Sequence, residues 1–228
     1  MSSVDYTFVG GGKALAAGEY VYYLNDELQA IKEQWCRYEQ DGGIELIESS
    51  RALTDVFELR SQAILSEGMF KQVRIQWRAE QDVDVFYDNE AGVCYRQIDG
   101  QEQPETVLPA GPIYPLMRIY TAALIQHIAK CGGNTQVVIP DIRPASSAQE
   151  KLLPLLTSRQ CEYLGDEVIS TETMEIPCER WTFKGDQYSS GDLFYINRAG
   201  ILARYCWQQD SQSQWRVELR HSISGSKT

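Results

Sequence analysis

The sequence predicts a mainly β protein: a highly curved antiparallel sheet, a half-barrel or β-roll, wrapped around one main α-helix. Three observations carry this. Apolar side chains alternate with polar ones along 71–78, as Val73, Ile75 and Trp77 against Gln72, Arg74, Gln76 and Arg78. The same period of two returns in the last third, where Trp215, Val217, Leu219 and His221 oppose Arg216, Glu218 and Arg220. Only 115–131 carries a helical stripe, through Leu116, Ile119, Tyr120, Ala123, Leu124, His127 and Ile128. A period of two marks a half-buried strand, and spacings of three and four mark a helix.

The elements follow in chain order. Tyr20, Tyr22 and Leu24 alternate with Glu19, Val21 and Tyr23, which suits a strand covered on both faces; Asn25-Asp26 then supplies a turn. The segment 28–39, with Ile31, Trp35 and Tyr38, fits either helix or strand, and strand is favoured because Asp41-Gly42-Gly43 closes it and Ile44–Glu48 resumes an extended pattern. A one-residue slip in 71–78 would put its whole apolar set in water, so the alternation specifies the pairing. Val83, Val85 and Tyr87, the turn Asn89–Gly92 and Val93–Gln97 complete a meander over 4–100.

Four prolines, Pro104, Pro109, Pro112 and Pro115, then exclude a central strand, because proline cannot donate to a ladder. The extended connection leads into the helix, with Pro115 in its first turn and Lys130 and Gly132-Gly133 at its end. Beyond it, strands are expected at 135–139, 159–164, 167–171, 178–184, 191–197, 200–209 and 214–221, with Gly165-Asp166 as a break. In 200–209, Ile201, Ala203, Tyr205 and Trp207 are expected to share one face. One β-rich domain over 1–223 is expected, with second-half strands in 135–221 and a disordered polar tail at 224–228.

The net charge of −11, with no run of Lys or Arg longer than two, excludes a nucleic-acid surface of the usual basic kind and disfavours docking on anionic lipid headgroups. No apolar run approaches a membrane span. Residues 1–5 carry neither a basic nor an apolar leader segment, so the expected compartment is cytoplasmic, or periplasmic if a leader was removed. The six cysteines are dispersed without a C-x-x-C pair and read as small hydrophobes rather than metal ligands.

No motif imposes a chemistry. Gly10-Gly11-Gly12-Lys13 resembles a phosphate loop, but Ala14 stands where a hydroxyl should hold magnesium. Asp82, Asp84 and Asp88 suggest a calcium loop, but Phe86 and Tyr87 break the ligand spacing. His127 lies on the apolar stripe of the helix and His221 on an inward strand row, where a packed histidine is the ordinary finding. Asp141 and Arg143 flank Ile142 in a proline-bounded loop and could orient the polar end of a ligand or simply pair with each other. The 13 Tyr, 6 Phe and 5 Trp fall largely on inward rows, which serves a core or an aromatic-lined pocket equally well.

The run Leu164–Ile169, then Ile176-Pro-Cys-Glu-Arg-Trp-Thr-Phe183, then Leu193-Phe-Tyr-Ile-Asn-Arg-Ala-Gly-Ile-Leu-Ala-Arg-Tyr205, then Trp215–Leu219 resembles the C-terminal half of bacterial families with the outer-membrane lipoprotein-carrier type of fold. Val73–Trp77 and Tyr114–Arg118 are similar to segments of glycolipid-binding β-roll proteins. The resemblance implies a curved sheet part-way round a helix with an apolar cavity between them, which in the carriers holds acyl chains. A violacein-pathway enzyme of similar fold implies that such a cavity can also host cofactor-free chemistry. The missing export signal departs from the carriers, and no catalytic residue carries over.

The expected function is therefore binding of a hydrophobic or amphipathic small molecule, lipid- or glycolipid-like, without a cofactor, metal or nucleic acid. Trp77, Tyr114, Arg118, His127, Asp141, Arg143, Tyr205 and Trp207 are the expected ligand-binding residues. A cofactor-independent enzyme acting on an apolar or aromatic metabolite is the alternative, with Tyr114, Arg118, His127, Asp141 and Arg143 as its polar set.

Overall fold

The computed structural model describes residues 12–53, 56–142, 147–171, 174–185 and 192–224, the last four of them as backbone only. The first meander comprises β1 (Lys13–Leu24), β2 (Glu27–Gln40), β3 (Ile44–Leu53), β4 (Phe57–Ser66), β5 (Met69–Arg78), β6 (Val83–Asp88), β7 (Val93–Ile98) and the short β8 (Gln101–Glu102) and β9 (Thr106–Val107). Helix α1 (Arg118–Lys130) follows. The second meander is β10 (Asn134–Pro140), β11 (Pro154–Ser170), β12 (Glu175–Gly185), β13 (Leu193–Asn197), β14 (Leu202–Gln208) and β15 (Gln214–Ser224).

Each meander pairs antiparallel in sequence order, except that β9 pairs with β7, and the two are spliced where β15 pairs with β1, so among the described residues all fifteen strands lie in one open curved sheet. The expected fold class is borne out. Helix α1 fills the concave side. Its buried residues Ile119, Tyr120, Leu124, Ile125 and Ile128 pack into one continuous core with Tyr20, Trp35, Leu59, Val73, Phe194 and Val217. Two buried hydroxyl pairs lie in this interface: the Tyr120 hydroxyl meets Ser61 Oγ at 2.9 Å, and the Tyr114 hydroxyl meets Thr121 Oγ1 at 2.8 Å. The acyl-sized space expected between sheet and helix is, around α1, occupied by these side chains.

Three local expectations are corrected. The helix starts at Arg118 rather than Pro115, because Leu116 takes a left-handed φ of 63° and Met117 remains extended, so Pro115 ends the incoming strand-like segment. That segment runs alongside β10, with Tyr114 N–H donating to Val138 O at 2.8 Å. The strands expected at 159–164 and 167–171 are one strand, β11; Gly165, with φ of 115°, makes a bulge within it instead of a break. Ala203 does not share a face with Tyr205. The register slips between Tyr195 and Ile196, Ala203 falls at the bulge, and Leu202 and Tyr205 both face the core. Ala203 instead joins a small outer cluster with Ile169, Ile176, Cys178 and Tyr195. Lys13 opens β1, so a strand stands where a phosphate loop needs a helix, and Gly10-Gly11 lie outside the described residues. A Cβ at Gly12 would come within 2.5 Å of Glu39 O, so this glycine serves the close approach of β1 and β2.

No group of three or more His, Cys, Asp or Glu side chains among the described residues is placed to hold a metal. Asp84 accepts from Gln76 and Arg78, and Asp88 accepts from the N–H groups of Glu90 and Ala91, as a strand face and a turn require. Of the tail expected at 224–228, Ser224 closes β15 and 225–228 lie outside the described residues, as does the side chain of His221.

Candidate functional site

The register dictates one cross-strand row on the concave face: Trp181, Phe194, Tyr205, Val217 and Tyr22 are successive Cα partners across β12, β13, β14, β15 and β1. Trp207 and Trp215 pair in the next row. The rings stack. Phe194 and Tyr205 have centroids 4.1 Å apart, Tyr205 and Trp207 4.6 Å, and Trp207 and Trp215 5.4 Å, with interplanar angles under 20°. The stack runs from the buried Phe194 out to Trp207 and Trp215, which are only half-buried.

The first residue of α1 meets this stack. Its chain enters from the left-handed corner at Leu116, which directs Arg118 toward β14 and β1. The Arg118 guanidinium carbon lies 4.9 Å from the Tyr205 ring centroid, 5.6 Å from Trp207 and 6.0 Å from Tyr22. Such contacts stabilise a cation by about 0.5–2 kcal/mol according to how dry the site is. Burial opposes the charge of Arg118, but Tyr22, Tyr114, Tyr205 and Glu33 outweigh it and hold its pKa well above the ordinary value, so it remains a cation.

Two carboxylates frame the cation. Glu33, on β2 and wholly buried, accepts the Tyr22 hydroxyl at 2.6 Å and the backbone N–H of Arg118 at 2.6 Å, and Arg51 Nη1 stands 3.8 Å from it. It thereby caps the helix from another strand, since Met117 supplies no side-chain cap. Asp192, also buried, accepts the Tyr205 hydroxyl at 3.2 Å. Burial pushes its pKa up to about 6, against the lowering pull of the Tyr205 hydrogen bond and of Arg118.

A raised carboxyl pKa means that the folded protein holds this proton more tightly than the unfolded chain. Folding therefore loses stability as pH rises from the ordinary value of 3.8 through about 6, by roughly 3 kcal/mol if the shift acts in full. Asp192→Asn keeps an acceptor for Tyr205 and removes the titration. Its urea midpoint is expected to exceed that of wild type at pH 7.5 and to approach it at pH 4. Parallel curves for the two proteins across that range would contradict the assignment.

Of the expected ligand-binding residues, Tyr114, Arg118, Tyr205 and Trp207 come together here; Tyr114 also sets its ring edge against Phe183 at 6.3 Å. Three do not. Trp77 stacks on Phe57 at 5.3 Å and receives the Lys151 ammonium over its ring. His127 is nine residues along α1 from Arg118, roughly 13 Å at about 1.5 Å per residue, and lies 3.6 Å from Cys131. Asp141 is buried where its backbone exchanges hydrogen bonds with Leu152 and Leu153. Arg143 lies outside the described residues. Sequence reasoning missed Glu33 and Asp192 as site residues. Glu33 had a signal, since it falls on the inward phase between Ile31 and Trp35; Asp192, beside a turn, had none.

A groove of about 590 Å³ crosses the other face of β1 to β5. Its walls include Glu19, Gln34, Glu48, Arg60, Gln62 and Arg74, and Gln62 donates to Glu48 at 2.7 Å. This lining has the wrong chemistry for an apolar ligand.

No family model and no curated protein matches the chain. Solved structures that it resembles include the beta-barrel-like protein of the domain of unknown function DUF1849 from Brucella abortus, at 10% identity and a TM-score of 0.53, covering 94% of this chain and 99% of that one. The two share a fold. MucB is similar at 10% identity and a TM-score of 0.33, over 95% of this chain and 55% of that chain. A candidate outer membrane lipoprotein-sorting protein domain from Vibrio parahaemolyticus is similar at 8% identity and a TM-score of 0.18, over 96% and 88%. Among the described residues no helix is long and apolar enough to cross a membrane.

Proposed function

We propose that this protein binds an amphipathic small molecule, lipid- or glycolipid-like, at the mouth of the half-barrel beside the N-terminus of α1. The observation that carries the reading is the aromatic stack leading from the buried Phe194 to the half-buried Trp207 and Trp215, with the Arg118 guanidinium on its face. Stacked amphipathic rings with few, placed polar groups are the usual lining of small-molecule sites. The ligand lies along the stack instead of deep between sheet and helix, where side chains already pack. Six free cysteines suit a reducing compartment, which supports a cytoplasmic location.

The enzymatic alternative called for Tyr114, Arg118, His127, Asp141 and Arg143 at one mouth, and Arg143 lies outside the described residues. Of the described members of this set only Tyr114 and Arg118 stand together; the Tyr114 hydroxyl is held by Thr121 and the Arg118 guanidinium lies on ring faces. The reading is tested by native mass spectrometry of protein purified gently from its own host. A mass increment removed by organic extraction is expected, and a homogeneous unliganded mass counts against it.

A further inference from the structure

The Arg118 guanidinium makes no hydrogen bond or ion pair among the described residues, and its Nε is buried without an acceptor. The nearby carboxylates are otherwise engaged. Glu33 is taken by Tyr22, the helix N–H and Arg51, and Asp192 by Tyr205. The Tyr20 hydroxyl, on the strand position paired with Glu33, is a second buried donor without an acceptor. Removing a charged donor from water without a hydrogen-bonded counter-charge is costly, and ring faces offset only part of the cost. Arginine's planar fork matches the two oxygens of a carboxylate or phosphate.

We infer that the ligand of this site carries an oxyanion head group, a carboxylate or phosphate monoester, which Arg118 binds while the apolar body lies along Tyr205, Trp207 and Trp215. This rests on the amphipathic-ligand reading and adds its head-group chemistry. The anion completes a cluster in which helix α1, by its N-terminal field, also favours negative charge. Arg118 is mostly buried but keeps a minor part of its surface in solvent, by which a head group can reach it.

The test is isothermal titration of the full chain with dodecanoate, dodecyl phosphate and dodecanol, each below its micelle concentration. In wild type, at least one anion is expected to bind tenfold or more tightly than dodecanol, and comparison of the two anions identifies the head group. Arg118→Gln is expected to lose roughly ten- to hundredfold in affinity for the anion and much less for dodecanol, so that the preference for the anion collapses. Dodecanol binding as tightly as both anions overturns the head-group inference and leaves the amphipathic reading standing. Unchanged anion affinity in Arg118→Gln does the same, whereas no binding of any of the three overturns both. If Arg118→Gln does not fold, as judged by circular dichroism, the wild-type comparison decides.

Discussion

Replacing Glu33 by alanine is expected to destabilise the fold by about 3–5 kcal/mol, the cost of breaking a buried ionic cluster by removing one member. The change strands three groups at once. The Tyr22 hydroxyl and the Arg118 N–H lose their acceptor, and Arg51, whose side chain is 11% exposed, loses its counter-charge. Because Met117 provides no cap, the first turn of α1 has no substitute acceptor from its own element. Glu33→Gln retains one oxygen for one of the two donors and should cost less, about 1–3 kcal/mol. Urea denaturation of wild type and both variants measures the order. A loss below about 1 kcal/mol for Glu33→Ala, or a glutamine variant worse than the alanine variant, would refute the capping role.

How much of this was legible in the sequence depends on whether local pattern or tertiary contact set each feature. Val73-Ile75-Trp77 and Trp215-Val217-Leu219 announced their strands because a period of two has one consequence on a half-buried sheet. The helix was legible from its stripe, but its start was not, since the left-handed turn at Leu116 is imposed by the pairing of 113–114 with β10. Bulges defeated the finer reading. Gly165 looked like a strand break and Ala203 like a core residue, because a pattern of alternation cannot show where a single extra residue is accommodated. At the site, Tyr205 and Trp207 were visible as inward aromatics and Arg118 as a polar residue at the helix start. The full set depends on the splice of β15 to β1, which puts Tyr22 in the row of Tyr205, across Val217, and which no local signal encodes. Trp77 and His127 obey the same inward patterns, yet Trp77 stacks on Phe57 at the edge of the core and His127 lies outside it beside Cys131, so pattern alone could not separate packing from binding.

A bound acyl chain should report its own position through the tryptophans. The chain has five: Trp35 is buried in the core, Trp77 is stacked on Phe57, Trp181 lies against Tyr163, and Trp207 and Trp215 form the outer end of the stack. A bromine-substituted dodecanoate quenches indole emission at short range, so occupancy of the stack predicts a saturable loss of fluorescence dominated by Trp207 and Trp215. Replacing both by phenylalanine preserves ring stacking while removing the reporters. The account predicts strong quenching in wild type and its near-complete disappearance in the Trp207→Phe, Trp215→Phe double variant. The same fractional quenching in the double variant, or ligand uptake that leaves wild-type emission unchanged, would contradict a site on this aromatic face.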